Sequence, residues 1–564
     1  MRGAGLRLRH DARSQRLRLR QVAFRDRARR RVAFNPFMTM KKSLLLWCSC
    51  VWLSNAVVGH ALAGDYVVPR LAPVAAAPTF HPPPPYPPGV RWVTTPTDDG
   101  PGSLRQAIAN AQPGDTIRFA PTLPPIILLR STLVIDKDLV ILGPGPQKLM
   151  LLRHIGAQTP GFRIFEVRAG QVTIAGLTIA NGRAVNPDGQ SDNLGGGIFN
   201  AGTLTVSNCV IAHNVALAEA GGNGFGGGIF TLGPLTLVDS TLRANRVNYA
   251  GGGLCTFHAA PVRVERCTIS DNFAGVQGGG VNFQGRAGVL KNCTVSGNAT
   301  SAEGTASGLL HLAFENEDSA LDLAACTVTR NRGNDIGAVV LAALPLNRGH
   351  LTRLINTLVA QNESPNFFLD GNPTLQSLGH NLDSDGTSGL THGVNGDQVG
   401  TVAAPIDARL GALLANGGPT RTHALLPGSP ALDAGICQDA DGAPLTEDQR
   451  RYPRPSGAAC DIGAFENQPP QVRCPPGGIV NAWNDTLTGV VHDADGDALT
   501  AIWLVDGAPV QTNALPEIHP PAPRLVKVRV SLPPGPHTVG LVVSDGKAAP
   551  AECSANVVAK RPPR

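Results

Sequence analysis

Five segments decide the fold: LTVSNCVIAHN at 204–214, LTLVDSTLRAN at 235–245, VRVERCTISDN at 262–272, GVLKNCTVSGN at 288–298 and LDLAACTVTRN at 321–331. Apart from Gly288, their first and third positions are apolar. The sixth is cysteine or serine, the eighth aliphatic and the eleventh asparagine. An earlier copy, Val172, Ile174, Leu177 and Ile179, keeps only the apolar part. Apolar residues two apart, a break of three, then two apart again describe two short strands joined by a bend. Glycine blocks Gly195–Gly197, Gly226–Gly228, Gly251–Gly253 and Gly278–Gly280 each precede an aliphatic residue and open a third strand, where the chain must turn tightly. A period of about thirty residues is too short to close a core of its own, so successive copies must stack. Three strands per turn with parallel stacking make a β-helix. No copy holds a ten-residue run of helical periodicity, which removes the helical solenoid.

The column Cys209, Ser240, Cys267, Cys293 and Cys326 reads as small buried side chains, because a free thiol packs as a small hydrophobe. The column Asn214, Asn245, Asn272, Asn298 and Asn331 reads as turn chemistry. Asparagine tolerates left-handed backbone angles and bonds nearby backbone groups, and stacked amides can bond from rung to rung. The cysteines lie on successive rungs rather than in a C-x-x-C cluster, so a zinc site is not expected.

Charge places the chain in a compartment. The formal net charge of +6 is misleading: residues 1–37 hold twelve arginines, and from Gly64 onward Asp and Glu exceed Lys and Arg by six. A nucleic-acid role needs a basic folded part and is excluded. Lys41 and Lys42, the apolar run Ser43 to Gly59 and Ala61-Leu-Ala63 form a Sec-type signal peptide over 38–63. Residues 1–37 then read as an over-extended start. The apolar run is too short for a membrane span, so a secreted or cell-surface protein, monomeric and not membrane-spanning after cleavage, is expected. Export exposes cysteines to oxidation. Cys437 with Cys460 and Cys474 with Cys553 are the sensible pairs, each inside one module, although spacing leaves connectivity open.

Residues 64–90 are a proline-rich linker. Ser103 then N-caps a short helix whose Leu104, Ala107 and Ile108 share a face, suited to covering the open end of a β-helix. TTPTDDGPGSLRQAIANAQPGDTIRF (94–119) resembles the N-terminal cap of secreted bacterial right-handed β-helix proteins of the pectin-lyase-like superfamily. NGDQVGTVAAPIDARLGALLANGGPTRTHALLPGSPALDAG (395–435) and DQRRYPRPSGAACDIGAFE (448–466) resemble the choice-of-anchor Q domain. The resemblance implies an exported protein with cap and first turns over 91–171, repeats over 172–362 and a choice-of-anchor Q-like C-terminal part of the β-helix over 363–466. Such proteins usually end in a sorting tail. Here the chain continues and ends KRPPR, which leaves its attachment open. Residues 467–564 alternate apolar and polar between Asp-Gly turns and are expected to form an Ig-like or cadherin-like antiparallel sandwich. In HDADGDALT (492–500), Asp493, Asp495 and Asp497 are candidate calcium ligands, although Ala498 stands where an EF-hand needs glycine. No other cofactor is expected.

β-Helices of this kind include polysaccharide lyases and hydrolases, whose chemistry needs paired carboxylates or a base beside acids on neighbouring rungs. The outward positions beside the cysteine column are Thr241, Thr268, Ser270, Thr294, Ser296 and Thr327, small hydroxyls with nothing to activate them. Asp271 and Arg330 lie rungs apart. Glu315, Glu317 and Asp318 near His311 read as a solvated acidic loop. No catalytic set can be named. The expected function is a non-catalytic surface protein for adhesion or for binding a glycan, matrix or surface-protein partner. A carbohydrate-active enzyme is the alternative.

Overall fold

A computed structural model describes residues 89–156, 159–185, 193–218, 222–258, 261–313, 318–333, 336–343 and 349–561. The stretch 38–63 expected as a signal peptide, and nearly all of the expected linker, lie outside these residues. The described chain is almost entirely β: a right-handed parallel β-helix followed by a two-sheet module. Three long parallel sheets of eleven, eleven and nine strands run along the helix, and five two-residue strands form a small fourth sheet.

The first sheet carries the opening positions of each repeat. Its register is in phase, with Leu204 between Val172 and Leu235, and Val206 between Ile174 and Leu237. The second sheet aligns Ile211 with Ile179 and Leu242. The third begins after the glycine blocks, with Ile198, Ile229, Leu254, Val281 and Leu309 in one column. All these side chains are buried in one continuous core. Each buried Val, Leu or Ile contributes about 1.5–3 kcal/mol relative to exposure. A one-residue slip would turn a whole strand's set outward, which holds the register.

Each bend before the cysteine column is made by a left-handed residue: Gly176, Asn208, Asp239, Arg266, Asn292, Ala325 and Asn356 all have φ between 48° and 68°. Except at Leu177, the next side chain then donates to the carbonyls exposed by the bend. Cys267 Sγ reaches the Glu265 and Leu237 carbonyls at 3.1 and 3.4 Å; Cys209, Cys293 and Cys326 repeat the pattern. Ser240 Oγ donates to the Val238 carbonyl at 2.7 Å, and Thr357 extends the column by bonding the Leu323 and Ile355 carbonyls. The thiols are therefore hydrogen-bond donors as well as packing groups. Burial pushes Cys209 up to about 12 and raises Cys255 as well, so both stay protonated.

The asparagine column differs from expectation in one respect. Left-handed angles fall on the residue before each asparagine, at His213, Ala244, Asp271, Gly297 and Arg330. The asparagine itself is freed to point its amide inward. Asn245 Nδ2 donates to Asn272 Oδ1 at 3.0 Å and to the Ile211 carbonyl at 2.9 Å, while Asn272 Oδ1 also takes the Asn245 backbone N–H. The chain of amides runs unbroken from Asn214 to Asn362. This column also explains the glycine blocks. A Cβ on Gly228 would lie 3.0 Å from Asn245 Nδ2 and 2.5 Å from the Gly253 carbonyl of the next rung.

The helix Leu104–Asn110 closes the N-terminal end. Ser103 Oγ accepts the Gln106 N–H at 3.1 Å, and Leu104, Ala107 and Ile108 are buried. At the other end the coils run only to Gln398–Val399. The stretch 401–466, expected as more β-helix, instead contains an antiparallel pair, Leu410–Leu414 with Thr422–Leu425, and returns over the outside of the second sheet. Its Leu410, Leu425, Ile462 and Phe465 pack in one cluster with Leu358 and Ala360. Lacking the inward repeat, it has nothing to add to the core and binds the exterior instead.

The C-terminal module pairs a three-stranded sheet (Gln471–Arg473, Asp485–His492, Arg524–Val530) with a five-stranded one (Gly478–Asn481, Leu499–Val505, Ala508–Leu515, Gly535–Ser544, Ala551–Lys560). The second is mixed rather than wholly antiparallel, because Gly478–Asn481 runs parallel to Ala551–Lys560. Trp503, Val491, Leu541 and Val543 form the core. Disulfides join Cys437 to Cys460 and Cys474 to Cys553, with Cα–Cα distances of 5.4 and 5.6 Å.

Candidate functional site

The hydroxyl row outside the second sheet is the first place to seek chemistry, and most of it is occupied by the returning strip. Thr268 Oγ1 donates to the Arg421 carbonyl at 2.6 Å and accepts from Gln449 Nε2 at 3.0 Å. Thr294 Oγ1 donates to Gln449 Oε1 at 2.6 Å, and Thr327 Oγ1 accepts the Ala464 N–H at 3.0 Å. His423 Nδ1 donates to the Gly411 carbonyl at 2.8 Å, which leaves Nε2 to accept from Ser296 Oγ at 2.8 Å. Burial, with Arg330 adding to it, lowers His423 to about 4. Arg330 itself donates to the Leu410 carbonyl. These hydroxyls are glue between two layers.

Several carboxylates along the first sheet are clamped by cations. Asp322 sits against Arg353 at 2.6 Å, Asp239 against Arg266 at 2.9 Å and Arg451 at 2.6 Å, and Glu265 against Arg263 at 2.7 Å. Lys291 reaches Asp439 of the strip at 2.9 Å. Burial raises Asp322, and the Arg353 guanidinium opposes it.

His311, which the sequence sets near the acidic residues Glu315, Glu317 and Asp318, is itself a strand residue, and Asp318 is exposed. His311 lies on the inward side of Leu309–Ala313 and is fully buried. Ser319 Oγ gives its proton to the Gly285 carbonyl at 2.6 Å, so it accepts from His311 Nε2, and Thr352 Oγ1 donates to Nδ1. Burial and the neighbouring His350 ring, 4.0 Å away between centroids, hold His311 well below its usual range. Glu315 and Glu317 lie outside the described residues.

The three candidate calcium ligands separate. Asp495 turns to the strip, where it meets Arg450 and accepts the Gln468 N–H at 2.7 Å. Arg450 is fully buried, bonds Asp448 at 2.8 Å and stacks 3.7 Å from the Phe465 ring centroid. Burial pushes Asp495 up to about 7 against the lowering pull of Arg450. Asp493 and Asp497 stay together and are joined by Asp545, which sequence reading passed over as part of an Asp-Gly turn.

A shallow cleft of about 240 Å³ opens at the N-terminal cap. Trp92, half-exposed, forms one wall, and Arg91, Gln106 and Asn110 also line the cleft. Arg91 is held by Asp115 at 2.8 Å, and Gln106 Nε2 donates to Asn110 Oδ1 at 2.9 Å. Arg91 and Trp92 are neighbours on the strand Val90–Val93 and project to opposite faces of it, so the exposed indole stands on the outer side and Arg91 on the inner.

Residues 164–343 match the family model described as right handed beta helix region. No curated protein matches the chain. Solved Clostridium thermocellum CbhA fibronectin(III)-like modules are 20% identical over 16% of this chain and 98% of theirs, with a TM-score of 0.13. The CARDB domain of the PF1109 protein in complex with di-metal ions, from Pyrococcus furiosus, is 10% identical over 16% of this chain and 93% of its own, with a TM-score of 0.14. The central coils are thus similar in sequence to right-handed β-helix proteins, in agreement with the architecture.

Proposed function

We propose that this is an exported, non-catalytic β-helix protein that binds a glycan or matrix component at a surface. The observation that carries this reading is the strip over the second sheet: its backbone and side chains take up Thr268, Thr294, Ser296 and Thr327, where a groove along the rungs would otherwise run. The arginine-clamped carboxylates support it further, since a general acid or base needs a free lone pair or proton. Trp92, half-exposed beside the amide side chains of Gln106 and Asn110, is the proposed contact, because an indole stacks on the C–H face of a pyranose.

The test is a glycan-array screen of the full chain beside lyase and hydrolase assays on acidic polysaccharides. Binding without turnover is expected. Trp92→Ala should weaken it at least tenfold, with only a modest fall in the unfolding midpoint, since the residue is 50% exposed. Release of unsaturated or reducing-end products would replace this reading with that of a carbohydrate-active enzyme.

A further inference from the structure

In the C-terminal module, Asp493, Asp497 and Asp545 each place one carboxylate oxygen within 4.8 Å of the others, and all three residues are buried. Asp493 and Asp497 come from the loop that follows Asp485–His492, and Asp545 from the turn after Gly535–Ser544. Asp493 Oδ1 accepts the N–H groups of Asp495 and Asp497 at 2.9 and 3.0 Å. Its Oδ2 is sealed from solvent and accepts nothing. Asp545 repeats this arrangement. One oxygen takes the N–H groups of Lys547 and Ala548 at 2.8 and 3.0 Å, while Oδ2 is sealed and unpartnered.

One cation reaches the group: Lys547 Nζ, whose side chain is 1% exposed, lies 2.6 Å from Asp497 Oδ2. The nearby Arg524 guanidinium bonds the Asp497 and Pro516 carbonyls instead. Three buried carboxylates therefore share one ammonium, and two of their oxygens lack any partner. Leaving such atoms unmatched is costly, and a bound ion is one of the few ways to satisfy them.

We infer that Asp493, Asp497 and Asp545 bind a hard divalent cation of the Ca²⁺ type, which takes the two sealed oxygens as ligands. The donors are all oxygen, which suits Ca²⁺ and disfavours zinc or copper. The ion also acts beyond its own module. Asp493 holds the Asp495 N–H, and Asp495 in turn binds Arg450 and the Gln468 N–H. Fixing Asp493 therefore stiffens the loop that fastens the module to the strip.

The test uses the full chain, stripped with EDTA and titrated with CaCl₂, MgCl₂ or ZnCl₂ by calorimetry, with thermal unfolding followed in parallel. One Ca²⁺ site with a Kd of about 10⁻⁴ M or tighter is expected, together with a raised unfolding midpoint. Asp493→Asn and Asp545→Asn should each weaken binding at least tenfold while the metal-free midpoint stays unchanged or rises. Lys547→Met should tighten binding by removing the competing ammonium. No heat and no midpoint shift with Ca²⁺ or Mg²⁺, in both the native chain and Lys547→Met, would overturn the inference and leave Lys547 as the resident counter-ion. Undiminished Ca²⁺ binding by both asparagine variants would also overturn it.

Discussion

Asn272 shows how much one side chain carries here. Its Oδ1 takes both the backbone and side-chain N–H of Asn245, and its Nδ2 serves the Leu242 carbonyl and Asn298 Oδ1. Asn272→Ala strands several buried groups at once. At about 1–3 kcal/mol per unsatisfied group, a loss of roughly 3 kcal/mol is expected in denaturant unfolding. His423 tests the strip from the other side. Its folded pKa of about 4 lies below the usual 6.5, so the unfolded chain takes up a proton first as pH falls. The His423 contribution is whole above pH 6.5 and declines towards pH 4, by about 3 kcal/mol at 1.36 kcal/mol per pH unit. The gap in unfolding free energy between the native chain and His423→Gln should shrink over that window. A pH-independent gap would show that His423 does not stay neutral in its pocket.

The elements divide by how their sequence betrays them. Strands of the coils were legible because Leu204, Val206, Cys209 and Ile211 face one interior and recur in every turn. The strip was not legible as a cover. Thr268 and Thr294 look like ordinary solvent-facing hydroxyls, and their partners Arg421 and Gln449 lie 153 or more positions away with no period to link them. Asp545 was missed for a similar reason: a turn acid gains meaning only when folding sets it beside Asp493. Arg450 is the pivot between strip and C-terminal module. Arg450→Ala leaves Asp448 and Asp495 buried without their shared guanidinium, a change that costs about 3–5 kcal/mol. The expected readout is an earlier first unfolding transition by calorimetry. An unchanged thermogram would mean that the pair is not sealed from water.

On the scale of the whole molecule, stacked coils touch only their neighbours, so such a column opens readily wherever one rung is weak. The returning strip alters that rule. It is bonded to residues from Asp239 to Asn356, spanning several rungs, and its C-terminal half is cross-tied by Cys437–Cys460 and Arg454–Glu466. Amide exchange should therefore be slowest at Thr268–Ser270 and Thr294–Ser296 and faster at Met150–Arg153, where no strip residue bonds the outer face. Equal exchange in both stretches would rule out the splinting effect. The consequence is mechanical: a tensile load along the axis must peel a lengthwise batten before it can pull adjacent middle turns asunder, so rupture should start at the uncovered N-terminal third.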